Sequence, residues 1–284
     1  MEETSRPRGY SITTSKIPIF LALRKVEELK PHEETVLDDL NGMVRTLRRD
    51  PFLRHPIIAD SASGAVLDGT HRLAAMKQLN CVTIPAALID YQNPLVKVDR
   101  WFRIIKGQSL HNIVKQIDNL SPVPIPIAES DRSLFNRKSY ATLRDPRECF
   151  ALKSDDPDPL YMTRHAFALE EIARRNHSKV DYTDNGNTED LTETSVLMST
   201  IRLEKEEVVD SCLKRLLFPP KSTRHLIPSR PLGVSVPLEW LKTNNVPAAE
   251  AKFEKHLATR SVRRLPEGSK VGSRRYVEEV FLFE

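Results

Sequence analysis

The stretch VLDGTHRLAAMKQL, residues 66–79, constrains the fold more than any other part of the chain. An apolar run ends on Asp68, Gly69 follows, and Leu73, Met76 and Leu79 then recur at helical spacing. A strand that turns through a glycine straight into a helix leaves the first N–H groups of that helix pointing outward without partners. Such an end favours an anion, a phosphate above all. Thr70 suits a cap or a hydroxyl donor, His71 adds a ring donor, and Arg72 carries the planar fork that pairs with phosphate oxygens. The same residues would also serve a bare turn and helix cap, so the neighbouring sequence has to decide.

Upstream lies LKPHEET, residues 29–35, in which Pro31, His32 and Glu33 precede a predicted helix. That helix carries Val36, Leu40, Met43 and Leu47 on one face, with Asp38 and Asp39 early and Arg45, Arg48 and Arg49 late, as the helix dipole favours. A carboxylate beside a phosphate site can accept the proton of an attacking hydroxyl while fixed cations hold the transferring group. Glu33 is the candidate, with Glu34 as a rival and a plain first-turn acid as the alternative. HPIIAD and GAVLD read as strands joined by a SASG turn, and VTIPAALIDY and VKVDRWF supply two more.

The predicted organisation is a loose tail over residues 1–15, a nucleotide-binding domain over 16–107, and a mixed α/β domain over 108–284. In the last, LSPVPIPIAESD is excluded from a central strand because its prolines lack donors. TRHAFALEEIARR is an amphipathic helix, residues 176–195 read as a mobile polar loop, and SVLMSTIRL reads as a strand before a charged helix. The closing AAEAKFEKHLATR helix and RRYVEEVFLF strand read as packing material. Trp240 reads as core.

Bulk properties narrow the function classes. The chain has 284 residues, 39% apolar and 29% charged, and a net charge of +4, which suits an anionic ligand without marking a dedicated nucleic-acid binder. Its three cysteines are odd in number and far apart, giving neither a disulfide framework nor a zinc cluster. No run approaches the roughly 18 apolar residues of a membrane span, and the start lacks the apolar core of a signal peptide, so a cytoplasmic location is expected. No G-x-x-x-x-G-K-[ST] loop is present, which sets aside the usual P-loop kinases.

Taken together, VEELKPHEE, VLDGTHRLAAMKQL and IPAALIDY resemble the ParB/sulfiredoxin-like domain, and within it the free L-serine kinase branch known from archaea. The resemblance covers about residues 18–105, and FPPKSTRHLIPSRPLGVSVPLEWL extends it more loosely. It implies an α+β fold, in which a ParB/sulfiredoxin-like N-terminal domain is joined by a mixed α/β C-terminal part that completes an active-site cleft. It implies transfer of a phosphoryl group from ADP or ATP, with Mg2+, to the hydroxyl of L-serine. By the same resemblance Glu33 is the base, and Asp68 is a second acid that orients the nucleophile or helps hold magnesium. Gly69, Thr70, His71 and Arg72 receive nucleotide phosphates, and Trp101 contacts serine.

In residues 221–225, Arg224 with the Thr223 hydroxyl would suit the serine carboxylate, beside His225; a solvated basic loop fixed by Pro219 and Pro220 is the alternative. The chain also departs from its relatives. Thr70 stands where sulfiredoxins carry a reactive cysteine and where the serine kinases commonly carry the first histidine of Asp-Gly-His-His-Arg. The helix-turn-helix of partition proteins is not evident. A nucleotide-binding, DNA-attached regulator is the rival function, supported by RTLRRD and RSVRRL.

Overall fold

The structure, a computed structural model, describes residues 8–189 and 191–284. They form two compact units. The first comprises the described residues up to Lys97 together with Val208–Arg215 and His225–Glu284, and the second the described residues of Val98–Glu207 with Leu216–Arg224.

The first unit opens with β1 (Tyr10–Ile12), β2 (Ile19–Lys25), β3 (Lys30–Pro31), α1 (Leu37–Arg49), β4 (Phe52–Leu53), β5 (Ile57–Asp60), β6 (Ala65–Asp68), α2 (Thr70–Gln78) and β7 (Thr83–Ile89). Its main sheet runs β1-β2-β7-β5-β6-β3. Ile57, Ile58, Ala59, Ala65, Val66, Ile84, Ala86 and Ala87 are all fully buried. Strands covered on both faces read as unbroken apolar runs, which is why these segments lack alternation. The expected SASG turn joins β5 and β6 as an antiparallel pair, with Gly64 in the left-handed region at φ +73°. In α1 the buried face is Leu40, Val44 and Leu47; Val44 takes the place that the sequence reading gave to Met43.

The second unit follows with β8 (Lys97–Asp99), which leads into it, β9 (Phe102–Lys106), α3 (Leu110–Gln116), β10 (Val123–Pro124), α4 (Ser130–Phe135), β11 (Ser139–Arg144), β12 (Cys149–Lys153), α5 (Pro159–Arg175), β13 (Lys179–Thr183) and β14 (Ser195–Thr200). Its sheet runs β10-β12-β11-β14-β9-β13. The proline-rich β10 lies at an edge, where a missing N–H is tolerated. At the other edge β13 pairs antiparallel with β9, from Lys179 opposite Lys106 to Thr183 opposite Phe102. The loop predicted over residues 176–195 is therefore partly strand: Val180 and Tyr182 have the β-favouring side chains, and β9 offers an open ladder.

Beyond α6 (Lys205–Lys214) come β15 (Arg224–Leu226), β16 (Ser229–Leu232), β17 (Val236–Pro237), α7 (Leu238–Leu241), α8 (Val246–Ala258), β18 (Val262–Leu265), β19 (Lys270–Val271), β20 (Arg274–Arg275) and β21 (Glu279–Phe283). From His225 onward these residues belong to the first unit, not to a separate domain starting at residue 108. The cause is packing: α8 buries Ala249, Phe253 and Leu257 and lies against β1 and β2, while β17 pairs with β4. β21 is central to a small sheet, parallel to β16 and antiparallel to β18. Trp240 is half-buried, with its ring edge-on to His256. Of the predicted loose tail, residues 1–7 lie outside the described residues, whereas Tyr10–Ile12 form β1 on β2 with Ile12 buried. Among the described residues no helix is long and apolar enough to cross a membrane.

Candidate active site

β3 lies parallel to β6 with Pro31 opposite Val66, so Glu33 and Asp68 each follow two residues beyond one paired position. His32 between them in register is buried, at 2% exposure. Its Nδ1 donates to the Val66 carbonyl at 2.8 Å, which turns Nε2 toward Glu33 Oε1, 3.7 Å away. Burial holds His32 below the usual histidine value, and the Glu33 charge and the Val66 carbonyl only partly oppose this. Glu33 thus faces a neutral imidazole whose tautomer is set by the backbone.

Next to His32 the polar groups continue in series within the first unit. The His225 ring stands edge-on to His32 with centroids 5.2 Å apart, and its Nε2 lies 2.8 Å from the Tyr91 hydroxyl. The Tyr91 N–H donates to Asp60 Oδ1 at 3.1 Å. Burial pushes the Asp60 carboxyl up, but the hydroxyl and N–H of Ser63 and the Tyr91 N–H outweigh it and hold it below the usual value. These contacts hold the His32 ring in place beside Glu33.

Asp68 ends β6 between two arginines. Arg72 Nη2, one helical turn on, is 3.2 Å from Oδ1, and Arg230 on β16 donates to Oδ2. Arg230 also donates to Glu278 Oε1 at 2.5 Å. Burial alone would raise the Asp68 carboxyl, yet Arg230 and then Arg72 hold it well below the carboxylate range. Burial likewise works against the Arg230 charge, and Asp68 and Glu278 more than restore it. Arg72, a predicted phosphate contact, also donates to the carbonyls of Pro56 and His55, so its guanidinium is already oriented by the chain.

Gly69 has φ +105°, and a Cβ there would lie 2.6 Å from Ile57 Cγ2 and 3.0 Å from Arg72 Cζ. Only glycine fits this turn. α2 then starts at Thr70 without a side-chain cap on its first amides. His71 Nε2 accepts the Val36 N–H at 3.0 Å, tying the start of α2 to the start of α1. Thr70, in place of a histidine, is half-buried at the first helical position.

The second unit holds its own cluster. Lys221 Nζ and Arg224 Cζ stand 5.2 Å and 5.5 Å from the centroid of the Trp101 ring. Arg224 Nη2 donates to Asp184 Oδ2 at 2.7 Å, and Thr223 is buried at 6% exposure. Of the predicted residues, Glu33, Asp68, Gly69, Thr70, His71, Arg72 and His225 therefore fall in the first unit, and Trp101, Thr223 and Arg224 in the second. Among the described residues no group of three or more His, Cys, Asp or Glu is arranged to hold a metal ion. Both Asp68 oxygens already face arginines, an arrangement that suits an ion pair rather than a metal ligand.

Sequence reasoning did not single out Arg230, Glu278, Arg103 or Glu170. Arginines read as solvated until a partner is seen, and the partner of Arg230 is 162 residues away. Glu170 did leave a signal, since it shares the buried helical face of Met162, Ala166, Leu169 and Ala173.

No protein-family model matches the chain. A ParB-like protein of Sulfolobus acidocaldarius is 30% identical over 203 residues, covering 70% of this chain and 87% of the relative. An ATP-dependent L-serine kinase of Staphylothermus marinus is 27% identical over 76% of this chain and 89% of its own. An ADP-dependent L-serine kinase of Thermococcus kodakarensis is 26% identical over 82% and 96%. Among solved structures, C-terminally truncated SbnI from Staphylococcus aureus aligns with a TM-score of 0.68 at 21% identity, covering 84% of this chain and 95% of that one. A free serine kinase in complex with AMP aligns at 0.65 and 23% identity, over 78% and 93%. The structural likenesses show a common fold, and the sequence match over most of both chains shows that this protein belongs to the ParB-like family.

Proposed function

We propose that the protein is a free L-serine kinase, transferring a phosphoryl group from ADP or ATP to the serine hydroxyl to give O-phospho-L-serine. The observation that carries this reading is Glu33, set against buried His32 and in register with the β6–Gly69–α2 turn. The L-serine kinases among its relatives, of both the ATP- and the ADP-dependent kind, support it over a DNA-attached regulator.

In the proposed mechanism Glu33 accepts the hydroxyl proton as serine Oγ attacks the terminal phosphorus. The bond from phosphorus to the bridging oxygen breaks, and AMP leaves from ADP, or ADP from ATP, without a covalent enzyme intermediate. Asp68 is a poor proton acceptor because its arginines keep it ionised, which leaves the base role to Glu33 and an orienting role to Asp68. The Gly69 turn lets backbone approach the phosphates, the uncapped amides at Thr70 and His71 face negative charge, and Arg72 adds a fixed cation. Magnesium, arriving on the nucleotide, would neutralise phosphate charge.

Serine recognition is assigned to Trp101, Thr223, Arg224 and His225. A free amino acid needs a partner for its carboxylate, and the Arg224 fork beside Thr223 is suited to one. The test is phosphoserine formation from L-serine and Mg2+ with ADP and ATP in parallel. Phosphoserine appearing in step with AMP or ADP supports the reading. A folded protein that makes none with either nucleotide, yet binds DNA with steep salt dependence, overturns it.

A further inference from the structure

We infer that Arg103 and Glu170, buried in the second unit, are positioning residues for the amino-acid substrate: Arg103 ties the backbone of Trp101 to that of Lys221, and Glu170 holds Arg103 in the geometry that does so. The inference rests on the serine-kinase reading and on the assignment of Trp101, Thr223 and Arg224 to serine.

Arg103 lies on β9 between β13 and β14 and is 2% exposed. Its fork is used on every side. Nε donates to Glu170 Oε1 at 2.6 Å, Nη1 to the Trp101 carbonyl at 2.6 Å and to Thr200 Oγ1 at 3.2 Å, and Nη2 to the Lys221 carbonyl at 3.1 Å. Two of these acceptors are backbone carbonyls in segments 120 residues apart along the chain, and they are the segments that carry the aromatic and the basic parts of the candidate serine site. A planar guanidinium can bridge them; a lysine ammonium is a point charge that can satisfy Glu170 but not both carbonyls.

The bridged position on the basic side is itself unusual. Lys221 has φ +63°, a left-handed conformation that a non-glycine residue keeps only when its surroundings impose it. The Arg103 bond to the Lys221 carbonyl is one such constraint, made three residues before Arg224. Lys221 and Arg224 then both lie over the Trp101 ring, and Arg224 reaches Asp184. Cation and ring are thus placed as one unit.

Glu170 is fully buried on α5 and is held on its second oxygen. Tyr182 donates its hydroxyl to Oε2 at 2.6 Å, and Arg174 Nη2 is 3.4 Å from the same atom. The Tyr182 ring also lies under Arg103, 5.5 Å from its Cζ. A buried ion pair adds little to stability over a well-packed apolar pair of the same shape. Its use here is the direction it gives to the remaining N–H groups of Arg103.

The test is Arg103→Lys in the full chain, assayed for KM and kcat with serine and for nucleotide Kd by calorimetry. A Trp240→Phe background leaves Trp101 as the only tryptophan of the two in the chain, so its fluorescence reports serine binding without turnover. The expected result is a serine KM and a fluorescence Kd raised at least tenfold, kcat within about twofold, and nucleotide Kd unchanged. Should that variant fail to fold, Tyr182→Phe removes one bond to Glu170 while keeping the ring, and a threefold or larger rise in KM with the same split is expected. Unchanged serine KM in either folded variant overturns the inference, as does a parallel loss of nucleotide binding. Absence of turnover in the unmutated protein would instead overturn the kinase reading.

Discussion

Arg230→Gln probes how much the β6 turn depends on a partner from the far end of the chain. Arg230 is 8% exposed and donates to both Asp68 and Glu278. Removing it leaves Glu278, with a side chain 12% exposed, without that cation, and leaves Asp68 with Arg72 at 3.2 Å and the more distant Arg274. Breaking a buried pair from one side costs about 3–5 kcal/mol. Asp68 keeps Arg72 and has a side chain 33% exposed to water, so the lower end, about 3 kcal/mol, is expected. At roughly 2–4 °C per kcal/mol for a unit of this size, Tm should fall by about 6–12 °C. The sign of the pH dependence follows from Asp68. Its folded value lies below the unfolded value of about 3.9, so its contribution is complete above about pH 4 and is lost as pH falls toward the folded value. The deficit of the variant should therefore be full at pH 7 and shrink below about pH 4. Urea denaturation of both proteins at pH 7 and pH 3 measures it. A deficit under about 0.5 kcal/mol at pH 7, or one that is the same at pH 3, would refute the ion-pair account.

Gly69→Ala should cost about 1–3 kcal/mol in stability from its positive φ, with further strain from the Ile57 contact, and should weaken nucleotide binding; calorimetry on the folded variant reads the second effect. For His32→Gln, kcat should fall about tenfold or more because Glu33 loses the neighbour that orients it, which steady-state assays would show. Burial also lowers the folded values of His32 and His55, so the native protein should lose stability as pH drops below about 6.5, and His32→Gln should flatten that slope in a series of melting curves from pH 7.5 to about 5. Cys81, Cys149 and Cys212 are buried, and burial pushes the Cys212 thiol up to about 12; a thiol reagent should modify none of them within minutes in the native state and all of them after denaturation.

The features legible in the sequence were those set by local chemistry. The glycine turn into α2, the SASG hairpin and the burial of Leu40 and Leu47 on α1 need only a few neighbouring residues to specify them, and Glu33 and Asp68 are candidates because each is a carboxylate shortly before a helix start. What was hidden depends on partners distant in sequence. The return of residues 225–284 to the first unit is a matter of where Phe253 and Leu257 find apolar cover. β13 is polar because an edge strand needs no apolar face, so its composition matched a loop. Arg230 and Arg103 look like surface arginines until Asp68 and Glu170 are placed beside them.

The role of Glu33 as the base is measured by comparing the native protein with Glu33→Gln, following phosphoserine formation from L-serine and nucleotide Kd in the same preparations. Native turnover is expected, with a loss of about 10²–10⁴-fold in kcat for the variant and an unchanged nucleotide Kd. Turnover of Glu33→Gln at the native rate would remove Glu33 as the base, and a folded native protein that forms no phosphoserine with either nucleotide would contradict the kinase itself.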